Sequence, residues 1–141
     1  MVIFPFQQHK YLVKSLKELP ERRLGNFTVG RFPNQEIFIR VKTNVDGKDC
    51  LILGSITPPD ENLISFLLLS HTLKKEGALK ITALLPYLAY GRQDKAKIGE
   101  SLATASIGEI LRVSHINEVV TIDVHSHKVE SLFPLPIHNL S

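Results

Sequence analysis

The chain has 141 residues, of which 43% are hydrophobic and 22% charged, the size and composition of one soluble domain with a single core. Its net charge of +3 is too small to indicate a nucleic-acid partner, and no block of like charges forms a basic arm. No apolar stretch approaches the roughly 20 residues of a membrane-spanning helix, and the N-terminus does not resemble a signal peptide, so a cytoplasmic protein without a membrane partner is expected.

The first part of the chain predicts a strand, a helix and a hairpin. The apolar run "MVIFPF" is broken by Pro5 and predicts a short edge strand or the start of a strand. Apolar residues recur at helical spacing from Gln8 to Leu19, and Pro20 follows as a stop, which predicts a surface helix. Residues 27–32 and 36–41 then predict two strands joined by the turn "PNQ".

Three apolar segments further along the chain predict buried strands. They read "DCLILGS", "LKITALLPY" and "INEVVTIDVH", and the first follows a turn at Asp46-Gly47. Continuous rather than alternating hydrophobicity is typical of strands covered on both faces, as in a parallel sheet. The lone Cys50 lies in the first of these strands and is expected to be a buried thiol, which excludes a disulfide framework and a cysteine-rich zinc site.

Two helices are predicted between these strands. The first follows Pro59, with Asp60 as its expected N-cap, and ends at Gly77. The second begins near Ser101, its expected cap, and runs through "LATASIGEILRV". Strand, helix, strand, helix, strand is typical of a parallel α/β sheet with right-handed crossovers, and no linker divides residues 1–141 into two domains.

Polar residues concentrate where the predicted buried strands end. Ligands of parallel α/β sheets bind beyond the carboxyl ends of the strands. The tip "DVHSHK" carries Asp123, His125 and His127, which would share one side of an extended chain and form a partial ligand set for a divalent metal. The alternative is a strand that ends in polar residues because it emerges into water, and the residues alone leave both open.

Two other polar segments have the same two interpretations. Arg92, Gln93 and Asp94 form part of the loop "YGRQDK", whose cations would bind phosphate oxygens or simply face solvent. At the hairpin, Phe32 lies beside "NQE", a group suited to stacking on a base and hydrogen bonding to it, although turn chemistry explains the same residues. The common glycine-rich nucleotide loops and the serine nucleophile elbow are missing.

Three segments together resemble one family. "RFPNQEIFIR", "PPDENLISFLLLSHTLKKEGALKITALLPYLAYGRQDK" and "TIDVHSHKVESLFPLPIHNLS" occur in the order and with the spacing of the N-terminal half of ribose-phosphate diphosphokinase, or PRPP synthetase. The similarity covers residues 31–141. It implies a phosphoribosyltransferase-like, three-layer α/β fold with a mainly parallel sheet, helices on both faces and an N-terminal β-hairpin or flag.

The resemblance also implies an activity and its partners. The family transfers the β,γ-diphosphoryl group of MgATP to the 1-hydroxyl of ribose 5-phosphate, giving AMP and PRPP. ATP and Mg²⁺ are therefore the expected substrate and cofactor, and ribose 5-phosphate is expected to bind through a second domain that these 141 residues lack. The chain alone is expected to be inactive, with no catalytic residue of its own, and to form a homodimer or larger homo-oligomer.

Site residues follow from the same resemblance. In the hairpin, Phe32, Asn34 and Glu36 match residues that contact adenine from a neighbouring subunit. In the polar loop, Arg92, Gln93 and Asp94 match the lining of the ATP site, with Arg92 as the direct contact. At the last strand tip, His125 matches a histidine that approaches the metal of MgATP, and Asp123 matches its neighbouring aspartate.

The sequence departs from the family pattern at several positions. The family has glutamine where Lys128 stands, a small or acidic residue at His127, and a basic run where this chain has "AKIGESLATAS". These departures favour a divergent member and keep two alternatives open. One is a non-catalytic regulatory or assembly homologue, and the other is a free-standing metal hydrolase that uses His125 and His127.

Overall fold

A computed structural model describes residues 1–9, 11–12, 15 and 23–141 of the chain. The helix predicted from Gln8 to Leu19 lies largely outside these residues, and its first two positions belong to a short 3₁₀ helix, Gln7–His9. The other elements, in chain order, are β1 (Val2–Pro5), β2 (Arg23–Leu24), β3 (Phe27–Arg31), β4 (Ile37–Val41), β5 (Asp49–Leu53), α1 (Glu61–Lys75), β6 (Lys80–Tyr87), α2 (Ala103–Val113), β7 (Glu118–Asp123), α3 (His127–Leu132) and β8 (Ile137–Asn139).

Six strands form one sheet in the order β2-β1-β5-β6-β7-β8, and every neighbouring pair is parallel. Of the two expectations for residues 1–6, the edge strand is wrong, because the two residues of β2 pair on the outer side of β1, and a strand that begins at Val2 is observed. All the strands therefore end at the same side of the sheet. The prediction of an α/β fold with a mainly parallel sheet and helices is confirmed.

The core forms along rows of residues that lie in register across the sheet. Phe4, Ile52, Ala83 and Val119 are consecutive partners on four strands, and none of them is accessible to solvent. Because all these strands are parallel and internal, each presents apolar side chains to covering elements, which explains their continuous hydrophobicity. Cys50 lies on the same face and is buried, as expected. Burial raises the pKa of its thiol to about 11, so the thiol stays protonated at neutral pH.

The hairpin is a separate two-stranded antiparallel sheet, as the sequence predicted. Its strand β4 packs against α1. Phe27 of β3 places its ring 6.0 Å from that of Phe4 and 5.2 Å from that of Phe6, both edge-on, which joins the hairpin to the core of the main sheet.

One of the two expected N-caps is confirmed. Asp60 is the N-cap residue of α1, but its carboxylate makes no capping bond and instead accepts a hydrogen bond from the Tyr90 hydroxyl at 3.4 Å. The expectation for Ser101 is wrong, because α2 begins at Ala103 after Leu102, and the Ser101 hydroxyl instead donates to the Gln93 side chain at 3.5 Å. None of the helices in the described ranges has the length and apolar character needed to cross a bilayer.

Candidate functional site

Polar loops gather where the parallel strands β5, β6 and β7 end. Because these strands are neighbours in the sheet, the segments that follow them, residues 54–60, 88–102 and 124–126, lie side by side at the carboxyl edge. This edge is where ligands bind in open parallel sheets. The polar loop and the histidine-bearing tip that the sequence singled out both lie here.

The loop after β6 has a defined shape that depends on Tyr90. Tyr90 has a φ of 65°, a left-handed conformation that is uncommon for a bulky residue. Its carbonyl oxygen accepts hydrogen bonds from the Thr104 hydroxyl at 2.6 Å and from the backbone N–H of Gln93 at 3.0 Å. These bonds tie the loop to the first turn of α2 and fix where the chain turns towards Arg92.

Arg92 and Gln93 line a cavity of about 240 Å³ at this edge. The other lining residues are Thr57, Pro58, Tyr87, Ala89 and Tyr90. Arg92 is exposed and has no acidic partner among the described residues, whereas Arg31 and Arg112 are paired with carboxylates. A guanidinium without a carboxylate beside an open cavity is suited to binding an anion such as a phosphate.

Asp94 does not line that cavity and instead bonds to the next strand tip. Its carboxylate accepts a short hydrogen bond of 2.5 Å from the Ser126 hydroxyl. This bond, with smaller contributions from the nearby charges of His125 and Lys95, lowers the pKa of Asp94 below its usual value of 3.8. The Ser126 oxygen also accepts a 3.3 Å bond from the backbone N–H of Lys128, so it caps α3 as well.

Replacing Ser126 with alanine is expected to raise the pKa of Asp94 towards 3.8. A carboxylate with a lowered folded pKa stabilises the protein above its ordinary pKa, and this contribution is lost as the pH falls through the folded value. The S126A variant should therefore lose less stability between neutral pH and acid than the natural chain. An NMR titration of the Asp94 carboxyl carbon measures the shift, with S131A in the same helix as a control that leaves this pKa unchanged.

The histidine-bearing tip differs from the extended strand that the sequence predicted. Strand β7 ends at Asp123, and His127 is the first residue of α3, so the expectation that Asp123, His125 and His127 share one face of a strand is wrong. Ser126 caps the new helix and turns the chain between the two histidines. Both imidazoles are exposed and line a second cavity of about 290 Å³, together with Glu130 and Asn139.

A protein-only metal centre is not formed by these residues. In the part of the chain that the structure describes, no group of three or more His, Cys, Asp or Glu side chains is placed to hold a metal ion. A hydrolytic zinc site takes three protein ligands. The geometry therefore gives no support to the metal-hydrolase alternative, and any metal at this edge would need ligands from a bound molecule or from water.

The hairpin residues lie apart from both cavities. Phe32 is half exposed and packs on Phe38 with ring centroids 4.9 Å apart, and the Asn34 side chain accepts the backbone N–H of Glu36 at 3.1 Å. None of the three predicted adenine contacts lines either cavity. Within one described chain, the fold brings Arg92 close to the histidine-bearing tip through Asp94 and Ser126 but does not bring the hairpin to them.

Sequence reasoning missed several contributors to this edge. Ser126 carries the Asp94 contact, and Thr57 and Tyr90 line the arginine-bearing cavity. Ser126 had one local signal, since serine before a short amphipathic segment with an acidic residue in its first turn is typical of an N-cap. Its partner lies 32 residues away, and nothing local in the sequence indicates that contact.

Comparison with known proteins gives a consistent family. A model of the N-terminal domain of ribose phosphate pyrophosphokinase matches residues 1–114. The ribose-phosphate pyrophosphokinase of Agrobacterium fabrum is 31% identical over 142 aligned residues, which cover 99% of this chain and 46% of that protein. The enzyme of the same name from Thermosipho africanus is 33% identical and matches 99% of this chain over 45% of its own length.

A solved structure agrees with these sequence matches. The phosphoribosylpyrophosphate synthetase of Mycobacterium smegmatis superposes with a TM-score of 0.88 and 28% sequence identity, over 98% of this chain and 47% of that protein. This similarity confirms the phosphoribosyltransferase-like fold that the sequence implied. The chain spans about half the length of the relatives that it matches.

Proposed function

We propose a function from one premise: this chain belongs to the ribose-phosphate pyrophosphokinase family, whose N-terminal domain it matches over residues 1–114. It supplies the N-terminal half of an enzyme that makes PRPP. In that reaction the 1-hydroxyl oxygen of ribose 5-phosphate bonds to the β-phosphorus of ATP, the bond from that phosphorus to the α,β-bridging oxygen breaks, and AMP leaves as the hydroxyl proton is released.

The observation that carries the proposal is the free guanidinium of Arg92 at the carboxyl edge of the sheet. It lines an open cavity beside Gln93 and has no acidic partner among the described residues. Phosphoryl transfer depends on positioning and on neutralising negative charge. Arg92 binds ATP phosphate oxygens, Gln93 lines the same cavity, and Asp94 positions the loop through Ser126.

Mg²⁺ fits this edge only in part. It prefers oxygen ligands in octahedral geometry and usually keeps several waters, so the imidazole of His125 is a poor direct ligand. His125 would instead lie beside the metal-nucleotide complex and hydrogen-bond to a phosphate oxygen, and the carboxylate of Asp123 would be the better candidate ligand. When bound, the metal would neutralise phosphate charge. ATP phosphate oxygens would be most of the ligands that the protein does not provide.

The hairpin serves a neighbouring copy in this proposal. Phe32 is half exposed at the hairpin tip and lines neither edge cavity of its own chain. An exposed aromatic ring beside Asn34 and Glu36 is suited to contact an adenine ring across an interface between copies. A homo-oligomer, dimer or larger, is therefore part of the proposed function.

The remaining machinery belongs to the second half of the family's length. Ribose 5-phosphate binds there, and the chain of 141 residues alone makes no PRPP. Location in the cytoplasm belongs to the same proposal.

One observation favours a regulatory homologue as the second candidate. Where the family has a basic run, this loop carries Glu100, whose carboxylate accepts the backbone N–H of Lys97 at 3.0 Å. A carboxylate in this loop opposes the binding of phosphates nearby. PRPP formation by this chain when it is combined with the C-terminal half of a family enzyme would exclude this alternative.

Alanine replacements of the two tip histidines test the nucleotide site. H125A is expected to weaken MgATP binding about fivefold to tenfold, because a contact with a charged complex is lost. H127A serves as the matched control and should bind as the natural chain does: His127 lines the same cavity, but it begins α3 after the Ser126 cap, and only His125 lies near enough to the polar loop for its charge to act on Asp94. Equal losses in both variants, measured by NMR titration, would contradict the role given to His125.

A further inference from the structure

Two exposed histidine rings lie side by side near the C-terminal ends of α1 and α2. His71 is close to the end of α1, and His115 directly follows the last capping residue of α2. The ring centroids are 5.6 Å apart, and the ring planes are inclined at 41°. Because β7 begins shortly after His115, the pair lies at the amino edge of the sheet, opposite the carboxyl edge and its two cavities. It is therefore independent of the proposed nucleotide site.

The backbone around this histidine pair is fixed by the fold. The Ser70 hydroxyl is completely buried and donates to the Ser114 carbonyl at 2.6 Å, which joins the two segments directly beside the rings. His115 has a φ of 70°, the left-handed conformation that commonly ends a helix. The N–H of Ile116 then donates to the Leu111 carbonyl at 3.2 Å, as in a Schellman motif. The direction in which the His115 side chain leaves the backbone is therefore set, and so is its approach to the neighbouring helix.

The charges near the pair leave room for a cation. Lys75 and Arg112 each pair with a nearby glutamate, at 2.8 Å and 2.9 Å, and the Lys74 ammonium lies 3.5 Å from a backbone carbonyl oxygen. These three cations thus have partners other than the two rings. His115 also lies just beyond the C-terminus of α2, where the carbonyl end of the helix dipole favours positive charge.

We infer that His71 and His115 together bind one divalent transition-metal ion of the zinc, copper and nickel class, through one nitrogen of each ring. Bonds of about 2.0–2.1 Å from zinc to each ring would place the ring centres about 5 Å apart. The observed 5.6 Å is close to this, and a small rotation of either exposed ring completes the contact. Imidazole nitrogen suits these ions, whereas Mg²⁺ and Ca²⁺ prefer oxygen ligands.

The proposed ion is a reversible link between two helices. Within the described ranges, no third His, Cys, Asp or Glu joins the pair, so water fills the remaining positions. Structural zinc centres have four protein ligands and catalytic ones three, so an ion held by two exchanges with the solution. An ion that binds the folded chain more tightly than the unfolded chain stabilises the fold by mass action. The stability of this chain therefore rises with the concentration of such an ion.

Zinc titration of histidine variants tests the site, with the histidine ring signals followed by NMR. H71A and H115G should each weaken Zn²⁺ binding at the pair at least about tenfold, since even the loss of an outer-shell partner typically costs that much. Both variants should fold, because alanine favours the helix at position 71 and glycine readily adopts the left-handed conformation at position 115. H127A and H138A remove exposed histidines elsewhere and should leave this affinity within about twofold of the natural value.

The natural chain gives the second part of the test. Zn²⁺ should shift the ring signals of His71 and His115 with one shared affinity, and the same excess of Mg²⁺ should shift neither. Zn²⁺ at ten times its dissociation constant should raise the melting temperature by about 5 °C in the natural chain and not in H71A. Separate affinities for the two rings, or an unchanged response of His115 in H71A, would show that the rings share no ion and would overturn the inference. Zn²⁺ binding confined to His125 and His127 would overturn it as well.

Discussion

Replacing Arg92 with alanine is expected to weaken MgATP binding about thirtyfold, which corresponds to about 2 kcal/mol for the loss of hydrogen bonds to a charged group. Arg92 is exposed and lines the cavity at the carboxyl edge without an acidic partner in the described part of the chain. Because the Arg92 side chain makes no hydrogen bond or ion pair within the described residues, the free energy of unfolding should change by less than about 0.5 kcal/mol.

The matched control is R112A. Arg112 is also exposed but lies in α2 and pairs with Glu109 at 2.9 Å. It has the same charge and lies outside both edge cavities. Because solvent and salt screen a distant charge, its replacement should leave MgATP affinity within about twofold of the natural value. If R92A and R112A bind MgATP equally well, the phosphate-binding role of Arg92 is incorrect.

Replacing Phe66 with alanine is expected to lower the free energy of unfolding by about 4 kcal/mol. The Phe66 ring is completely buried, stacks 6.0 Å from that of Phe6, and approaches Gly54 so closely that a Cβ there would lie 2.9 Å from it. Its removal leaves a cavity between α1 and the sheet that these neighbours cannot fill by small shifts.

Urea unfolding measures the free energy of unfolding of F66A and I64A. The comparison separates the loss of a buried side chain from the effect of a substitution on the exposed side of the same helix. Ile64 lies on the same helix but is 46% exposed, so alanine there should cost less than about 1 kcal/mol. A similar cost for the two variants would mean that the buried face of α1 is assigned wrongly.

The long elements could be predicted from the sequence because their signals are local. Strands β5, β6 and β7 are continuous apolar runs, and burial on both sides produces that pattern directly. The hairpin was equally clear from two alternating segments around a turn.

The short elements could not be predicted, because they form only through pairing and packing with segments that are distant in the sequence. The two residues of β2 and the three of β8 are strands only because β1 and β7 offer free edges in register. Helix α3 has six residues, too few to form on propensity alone, and it depends on the Ser126 cap and on burial of Val129. The extended interpretation of His127 failed for the same reason.

The candidate site was likewise predictable in its local features and not in its contacts between distant segments. The residue types and their order along the chain indicated a phosphate-binding edge, and the fold places Arg92 and His125 on adjacent strand ends. The bond between Asp94 and Ser126 joins residues 32 positions apart, and only the three-dimensional packing of β6 beside β7 creates it. The separation of the hairpin from both cavities likewise depends on tertiary placement.

The most direct test of a nucleotide site at this edge is to map MgATP binding on the ¹⁵N-labelled chain by NMR, with Mg²⁺ alone as the control. We expect the amide shifts of Arg92, Gln93 and the neighbouring tip residues His125 and Ser126 to change with nucleotide and to stay unchanged with Mg²⁺ alone. Changes confined to other surfaces, or none up to saturating nucleotide, would contradict a nucleotide site at the carboxyl edge of this sheet.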